Sequence, residues 1–316
     1  MSCSTNIIEQ KDPARELHLH VAYFEFTYPI TLRSFISLGL HRSKMGCSSS
    51  RKQLPQIVLF GDSLTEWSFD ESVQGFGWYL TDWYKGKAEI VNEGYAGYTS
   101  ERVKLEFSHL ITRVTAPFAP TTLLFTIFLG ANDACFVGKT EYVPLPQFLD
   151  NIRSFVEEIL TQDNLEDANI VLITPPPINV PEPLPSDDED LGPAMANALE
   201  RKDPKKDRGY LTYMSKKRYA EGIMSITREY EDTGRVVGLD YWRALVEAGL
   251  EEQGRTGEVD EDKFPGCGLA GAKEFGSGWF TDGLHLDKKA YNVLSKALTE
   301  TVIGKWPELS PERIEP

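Results

Sequence analysis

Apolar and polar positions along the chain change their rhythm near residue 55. Residues 1–54 mix charge, isolated aromatics and the polar stretch HRSKMGCSSSRKQ without a sustained period. They read as an N-terminal extension outside the fold, expected to be largely disordered. From Ile57 onward, short β-branched apolar runs alternate with stretches of helical spacing. Residues 57–61, 88–92 (AEIVN), 122–129 (TLLFTIFL), 169–173 (NIVLI) and 235–239 (RVVGL) predict strands. The segment TSERVKLEFSHLITRV predicts a helix capped by Thr99 or Ser100, with Val103, Phe107, Leu110 and Val114 on one stripe. LPQFLDNIRSFVEEIL repeats the device with Phe148, Ile152, Phe155, Ile159 and Leu160, and SKKRYAEGIMSITREYED and DKKAYNVLSKALTETVIGKW predict two more helices. Alternation of this kind implies an α/β fold, a parallel sheet with helices on both faces, over residues 55–310.

One segment interrupts the alternation. Residues 175–209 hold eight prolines and the acidic run SDDED. A connection this long reads as an insertion within the domain, either a flap over a site or a solvated loop.

Composition narrows the partners. The formal net charge of −15 argues against nucleic acid as a binding partner. The four cysteines, Cys3, Cys47, Cys135 and Cys267, are scattered, with no CxxC pair, so neither a disulfide framework nor a common zinc pattern is present. A reducing, cytoplasmic location is the expectation. Residues 45–52, MGCSSSRK, fit the N-myristoylation pattern. A membrane partner is expected only if translation starts at Met45, with Gly46 and Cys47 then acylated.

The chemistry concentrates at strand ends. FGDSLTEW places Asp62, Ser63 and Thr65 directly after the first apolar run, as either a helix cap or an active site. A serine nucleophile needs a base, a carboxylate to orient it and donors for an oxyanion. Of the five histidines, His18, His20 and His41 fall in the extension, and His109 sits on a helix face. His285 stands in WFTDGLHLDKKAY, three residues after Asp282 and just before the last helix. A short turn there lets carboxylate and imidazole share one cleft, although turn and cap chemistry explains the same residues. Gly94 and Gly97 follow the second strand and Asn132 the third, as backbone and side-chain donors or as ordinary turn residues.

Together, GDSLTE, the glycine in NEGYAGYTS, the asparagine in GAND and the Asp-His pair in DGLH resemble the four blocks of the SGNH, or GDSL-type, hydrolases. LVEAG, ITPPPIN and DGLHL further resemble the isoamyl acetate-hydrolysing esterase branch. The resemblance covers roughly residues 55–306 and implies a three-layer α/β/α sandwich with about five parallel strands. It implies Ser63 as nucleophile, His285 as base and Asp282 as its orienting carboxylate. The oxyanion donors would be Ser63 N–H, Gly97 N–H and the Asn132 amide, with no metal or organic cofactor. Asp62 and Asp133 are expected to hold their loops. The implied substrate is a small-molecule, short-chain acyl ester. Acetylated sugars and lysophospholipids are the alternatives within the superfamily, and a catalytically silent binding protein is the alternative outside enzymes. GDSLT lacks the G-x-S-x-G elbow of the α/β-hydrolases.

Overall fold

The structure is a computed structural model that describes residues 53–136, 142–182 and 203–315. β1 (Gln56–Gly61) is buried along its whole length. Ile57 and Leu59 point into one apolar layer, Val58 and Phe60 into the other, as a strand covered on both faces requires. It pairs in parallel with β2 (Glu89–Gly94) on one side and β3 (Thr122–Phe128) on the other. β4 (Asn169–Ile173) and β5 (Val236–Leu239) extend the sheet to the order β2-β1-β3-β4-β5, all parallel.

The helices divide between the faces as one crossover hand demands. The step from β1 to β2 runs one way along the sheet through α1 (Ser63–Glu66) and α2 (Phe76–Trp83). The later steps run the other way through α3 (Lys104–Val114), α4 (Leu145–Leu160) and α5 (Arg208–Glu229). Accordingly α2 packs on the layer of Ile57 and Leu59, joined there by α6 (Tyr241–Glu252) and α7 (Lys288–Lys305). α3, α4 and α5 pack on the layer of Val58 and Phe60. Phe60, Phe107 and Phe155 meet there with ring centroids 4.5–5.7 Å apart. Full burial of each such ring contributes about 1.5–3 kcal/mol. The result is the expected three-layer α/β/α arrangement around a five-stranded parallel sheet.

The predicted strands match within two residues, and α4 spans the predicted 145–160. α5 starts seven residues earlier than its apolar stripe suggests, because Asp207 caps it by accepting from Gly209 N. α3 starts later than predicted, at Lys104, because Ser100 is engaged elsewhere. α2 and α6 were not predicted. α2 opens on Gly75, without a side-chain cap, so its start carries no sequence signal.

Of residues 175–209, the flanks 175–182 and 203–209 are described, and the first belongs to the fold. Pro175–Ile178 is buried, with Ile178 in a third apolar cluster alongside Tyr213, Trp242 and Cys267. The rest of the segment, the Met45–Gly46–Cys47 stretch and all but the last two residues of the N-terminal extension lie outside the described residues. Among the described residues, no helix is long and apolar enough to cross a membrane.

Candidate active site

The strand register brings Gly61, Gly94, Phe128, Ile173 and Leu239 to one edge of the sheet. The chain reverses direction between β1 and β3, and ligands bind α/β sheets in such a crevice, beyond the carboxyl ends of the strands. Ser63 follows β1 and Asn132 follows β3, so both stand at that switch point.

Asp62 makes the turn at Ser63. It is the N-cap of α1, and its Oδ1 accepts from Leu64 N at 3.0 Å. Ser63 thereby becomes the first residue of a helix, 5% exposed, with an N–H that finds no acceptor among the described residues. Gly61 lets the turn close, because a Cβ there would lie 2.5 Å from Phe128 O. Tyr291 of α7 donates its hydroxyl to Leu64 O at 2.9 Å and ties the turn down from within the same layer.

Ser63 Oγ lies 3.1 Å from His285 Nε2, and His285 Nδ1 lies 2.6 Å from Asp282 Oδ2. The spacing of three residues has a direct cause. Asp282 Oδ1 accepts from Leu284 N at 3.0 Å and from His285 N at 2.8 Å, so one oxygen shapes the turn while the other holds the ring. Thr281 N donates to His285 O at 2.9 Å and closes the loop. Gly283 sits at φ +85°, and a Cβ on it would lie 2.9 Å from Asn179 O. Asn179, in the buried flank after β4, stitches this loop in place: its N donates to Gly283 O, its Oδ1 accepts from Phe275 N and its Nδ2 donates to Phe275 O. Burial works to raise the Asp282 carboxyl. The hydrogen bonds from the His285 ring and N–H, with the charge of His285, outweigh it and bring the group down to about 2. Asp282 is thus an anion at any pH where His285 could act as base.

The second and third loops close the other side. Residues 95–98 turn back after β2, with Gly97 exposed at φ +74° and its N–H without an acceptor among the described residues. Glu66 holds this turn, accepting from Ala96 N at 2.5 Å. Asn132 is 6% exposed and donates one amide hydrogen to Tyr98 O at 2.8 Å, which leaves the second for a ligand. Asp133 accepts from both Ser100 N and Ser100 Oγ, linking the second loop to the third. Burial pushes Asp62 up to about 6 against the hydrogen bond from Leu64 and the charges of Lys216 and His285. Burial likewise raises Asp133 to about 7, against the Ser100 hydrogen bonds and with added repulsion from Asp62. Neither carboxylate contacts His285, and both hold loops, as expected.

Several contributors escape sequence reasoning. Trp67 packs at a tilt against His285 with centroids 4.4 Å apart and remains 46% exposed. Asn179 lies within the proline-rich segment, where nothing separates it from loop composition. Lys216 was legible only through helical phase, since it falls on the stripe of Tyr213, Tyr219 and Ile223. Among the described residues, no group of three or more His, Cys, Asp or Glu is placed to hold a metal ion.

Comparison with known proteins places this edge in context. The family model for GDSL-like lipase/acylhydrolase matches residues 57–298. A GDSL esterase/lipase of Arabidopsis thaliana is 26% identical over 253 residues, 79% of this chain and 64% of its own length. The isoamyl acetate-hydrolyzing esterase 1 homolog of Bos taurus is 34% identical over 126 residues, 39% of this chain and 49% of its own. The isoamyl acetate-hydrolyzing esterase of Saccharomyces cerevisiae is 24% identical over 272 residues, 82% of this chain and 91% of its own. The matched chain spans between about half and two thirds of the Arabidopsis and bovine proteins. The matched region runs from the strand before Ser63 to the helix after His285, so sheet, Ser63 turn and Asp-His loop fall inside one family assignment: the chain belongs to the GDSL-like lipase/acylhydrolase family.

Proposed function

We propose that the protein is a serine esterase that hydrolyses short-chain, acetate-type acyl esters through an acyl-enzyme on Ser63. One observation carries this reading: the hydrogen-bond chain from Ser63 Oγ through both ring nitrogens of His285 to Asp282 Oδ2. Asp282 keeps the proton on Nδ1, so Nε2 is bare and faces the hydroxyl. Ser63 Oγ attacks the ester carbonyl as its proton passes to Nε2. The negative charge that builds on the carbonyl oxygen meets the N–H groups of Ser63 and Gly97 and the free hydrogen of the Asn132 amide. Collapse expels the alcohol, protonated by His285. The same imidazole then deprotonates water, which attacks the acyl-enzyme and releases the acid. No step calls for a metal or organic cofactor. The likeness to the yeast isoamyl acetate-hydrolyzing esterase supports the acetate class. The thiols Cys135 and Cys267, both free and buried, fit a reducing compartment.

Turnover of p-nitrophenyl acetate by the wild type and its absence in Ser63→Ala test the reading. A wild-type protein that binds esters without turning them over would instead be a binding protein. Preferred turnover of acetylated sugars or lysophospholipids would move the substrate within the superfamily.

Trp67 bears on the alcohol. Its half-exposed indole lies against the His285 ring and offers an apolar wall to a leaving alcohol. Trp67→Ala is expected to raise KM for esters of large apolar alcohols about five-fold, equivalent to ~1 kcal/mol of lost apolar contact. Methyl acetate should be little affected. Equal loss for both esters would assign the indole to holding the imidazole alone.

A further inference from the structure

Lys216, on α5, is fully buried, and its ammonium has no hydrogen-bond partner among the described residues. Its neighbour Lys217 turns outward and pairs with Glu261 at the surface. The groups within electrostatic reach of the Lys216 ammonium are the Cys135 thiol and the Asp62 and Asp133 carboxylates. Asp62 directly precedes Ser63, and Asp133 directly follows Asn132. One carboxylate oxygen of Asp62 is also buried without a partner. An ammonium withdrawn from water is costly unless negative charge compensates it. Two carboxylates buried beside one another carry the same cost with the opposite sign.

We propose that Lys216 is a positioning residue of this active site: its buried ammonium is the shared counter-charge that holds the Asp62 and Asp133 carboxylates together, and with them the nucleophile turn against the oxyanion loop. The role rests on the esterase reading above and deepens it. Asp62 caps α1, and Asp133 grips Ser100, so this one cation steadies the loops after β1, β2 and β3. Other groups face the pair. His285 attracts the Asp62 charge, Tyr291 of α7 lies near Asp62, and Tyr219 of α5 lies near Asp133.

The pH dependence follows from the sign of the shifts. Both carboxyls stand above the unfolded value of about 4, at about 6 and about 7. Each therefore favours the fold fully below about pH 4 and loses that contribution as pH rises through its folded value. Removing the ammonium raises both further, so the deficit of a Lys216 variant widens toward alkaline pH. A lysine that merely fills space would give a deficit independent of pH.

Lys216→Met keeps the length of the side chain and deletes the charge. Lys216→Met/Asp62→Asn removes charge and counter-charge together and leaves an oxygen to cap α1. Two readouts apply between pH 5.5 and 8.5: p-nitrophenyl acetate turnover, and phosphonylation of Ser63 by an alkyl fluorophosphonate, in which Oγ displaces fluoride. At pH 8, Lys216→Met is expected to slow kcat and phosphonylation about 10- to 10²-fold with KM little changed, the size of effect that misplaced catalytic groups produce. The loss should shrink toward pH 5.5, and the added Asp62→Asn should recover a large part of it. Wild-type rates in Lys216→Met, a loss flat across pH, or no recovery in the double variant would overturn the role. If Lys216→Met does not fold, a folded and active double variant supports the proposal and an unfolded one overturns it. A wild type that is not labelled at Ser63 overturns the esterase reading and this role with it. Labelling unchanged by Lys216→Met overturns the role alone.

Discussion

Ser63→Ala is expected to lower kcat for p-nitrophenyl acetate by about 10⁴- to 10⁶-fold, His285→Ala to do the same, and the double variant to lose little more than either alone. The non-additivity is the informative part. Ser63 Oγ is a weak nucleophile until Nε2, 3.1 Å away, takes its proton, and Nε2 has no other task here. Once one member is gone, the other has nothing left to contribute. Both side chains lie at the sheet edge and outside the apolar layers, so circular dichroism and unfolding midpoints should stay close to wild type. Near-wild-type turnover by a folded His285→Ala protein would sink the assignment of the base.

Asn132→Ala should cost about 10²–10³ in kcat with little change in KM, because an oxyanion donor acts on charge that exists only in the transition state. The same side chain also holds Tyr98 O at 2.8 Å, so its loss could loosen the second loop as well. Asn132→Asp sharpens the oxyanion effect. It preserves the shape, removes both donors and sets a carboxylate where negative charge must build, so its kcat should fall at least as far. A KM effect in Asn132→Ala with kcat preserved would mean that the amide binds substrate and does not stabilise the oxyanion.

The sheet was legible because buried parallel strands are short, β-branched and bounded by Gly and Pro. NIVLI could be read to the residue. The Asp-x-x-His turn was legible for a different reason: its spacing is set by hydrogen bonds within four residues of chain. Contributions from distant segments were not. Asn179 acts on the Asp-His loop from the far side of the sequence, and Glu66 reaches across to Ala96 only when β1 and β2 are in register. Helix ends failed where the cap was unusual, at Gly75 of α2, or where a capping serine was claimed by another loop, at Ser100. Lys216 stands first in a run of three basic residues, Lys216, Lys217 and Arg218. Its inward direction shows in phase with Tyr213 and Ile223, but nothing local shows the carboxylates awaiting it.

Ser63 and His285 are 222 residues apart, and the link from Tyr291 that ties down the turn at Ser63 spans 227. A chain leaving the ribosome therefore presents Ser63 early and His285 near the end. β1 to β4 can come into register once residue 173 has emerged, but the sheet edge then carries a serine with nothing to deprotonate it. Closing so long a span costs only about 0.6 kcal/mol more per doubling of its length, yet it waits for every intervening segment to find its place. On the proposed mechanism, esters in the surrounding medium are safe from a half-made chain, and hydrolysis begins only when the last loop is seated. Catalytic power thus acts as a clock for completed folding, reading the arrival of residues 275–291 after the sheet itself has formed.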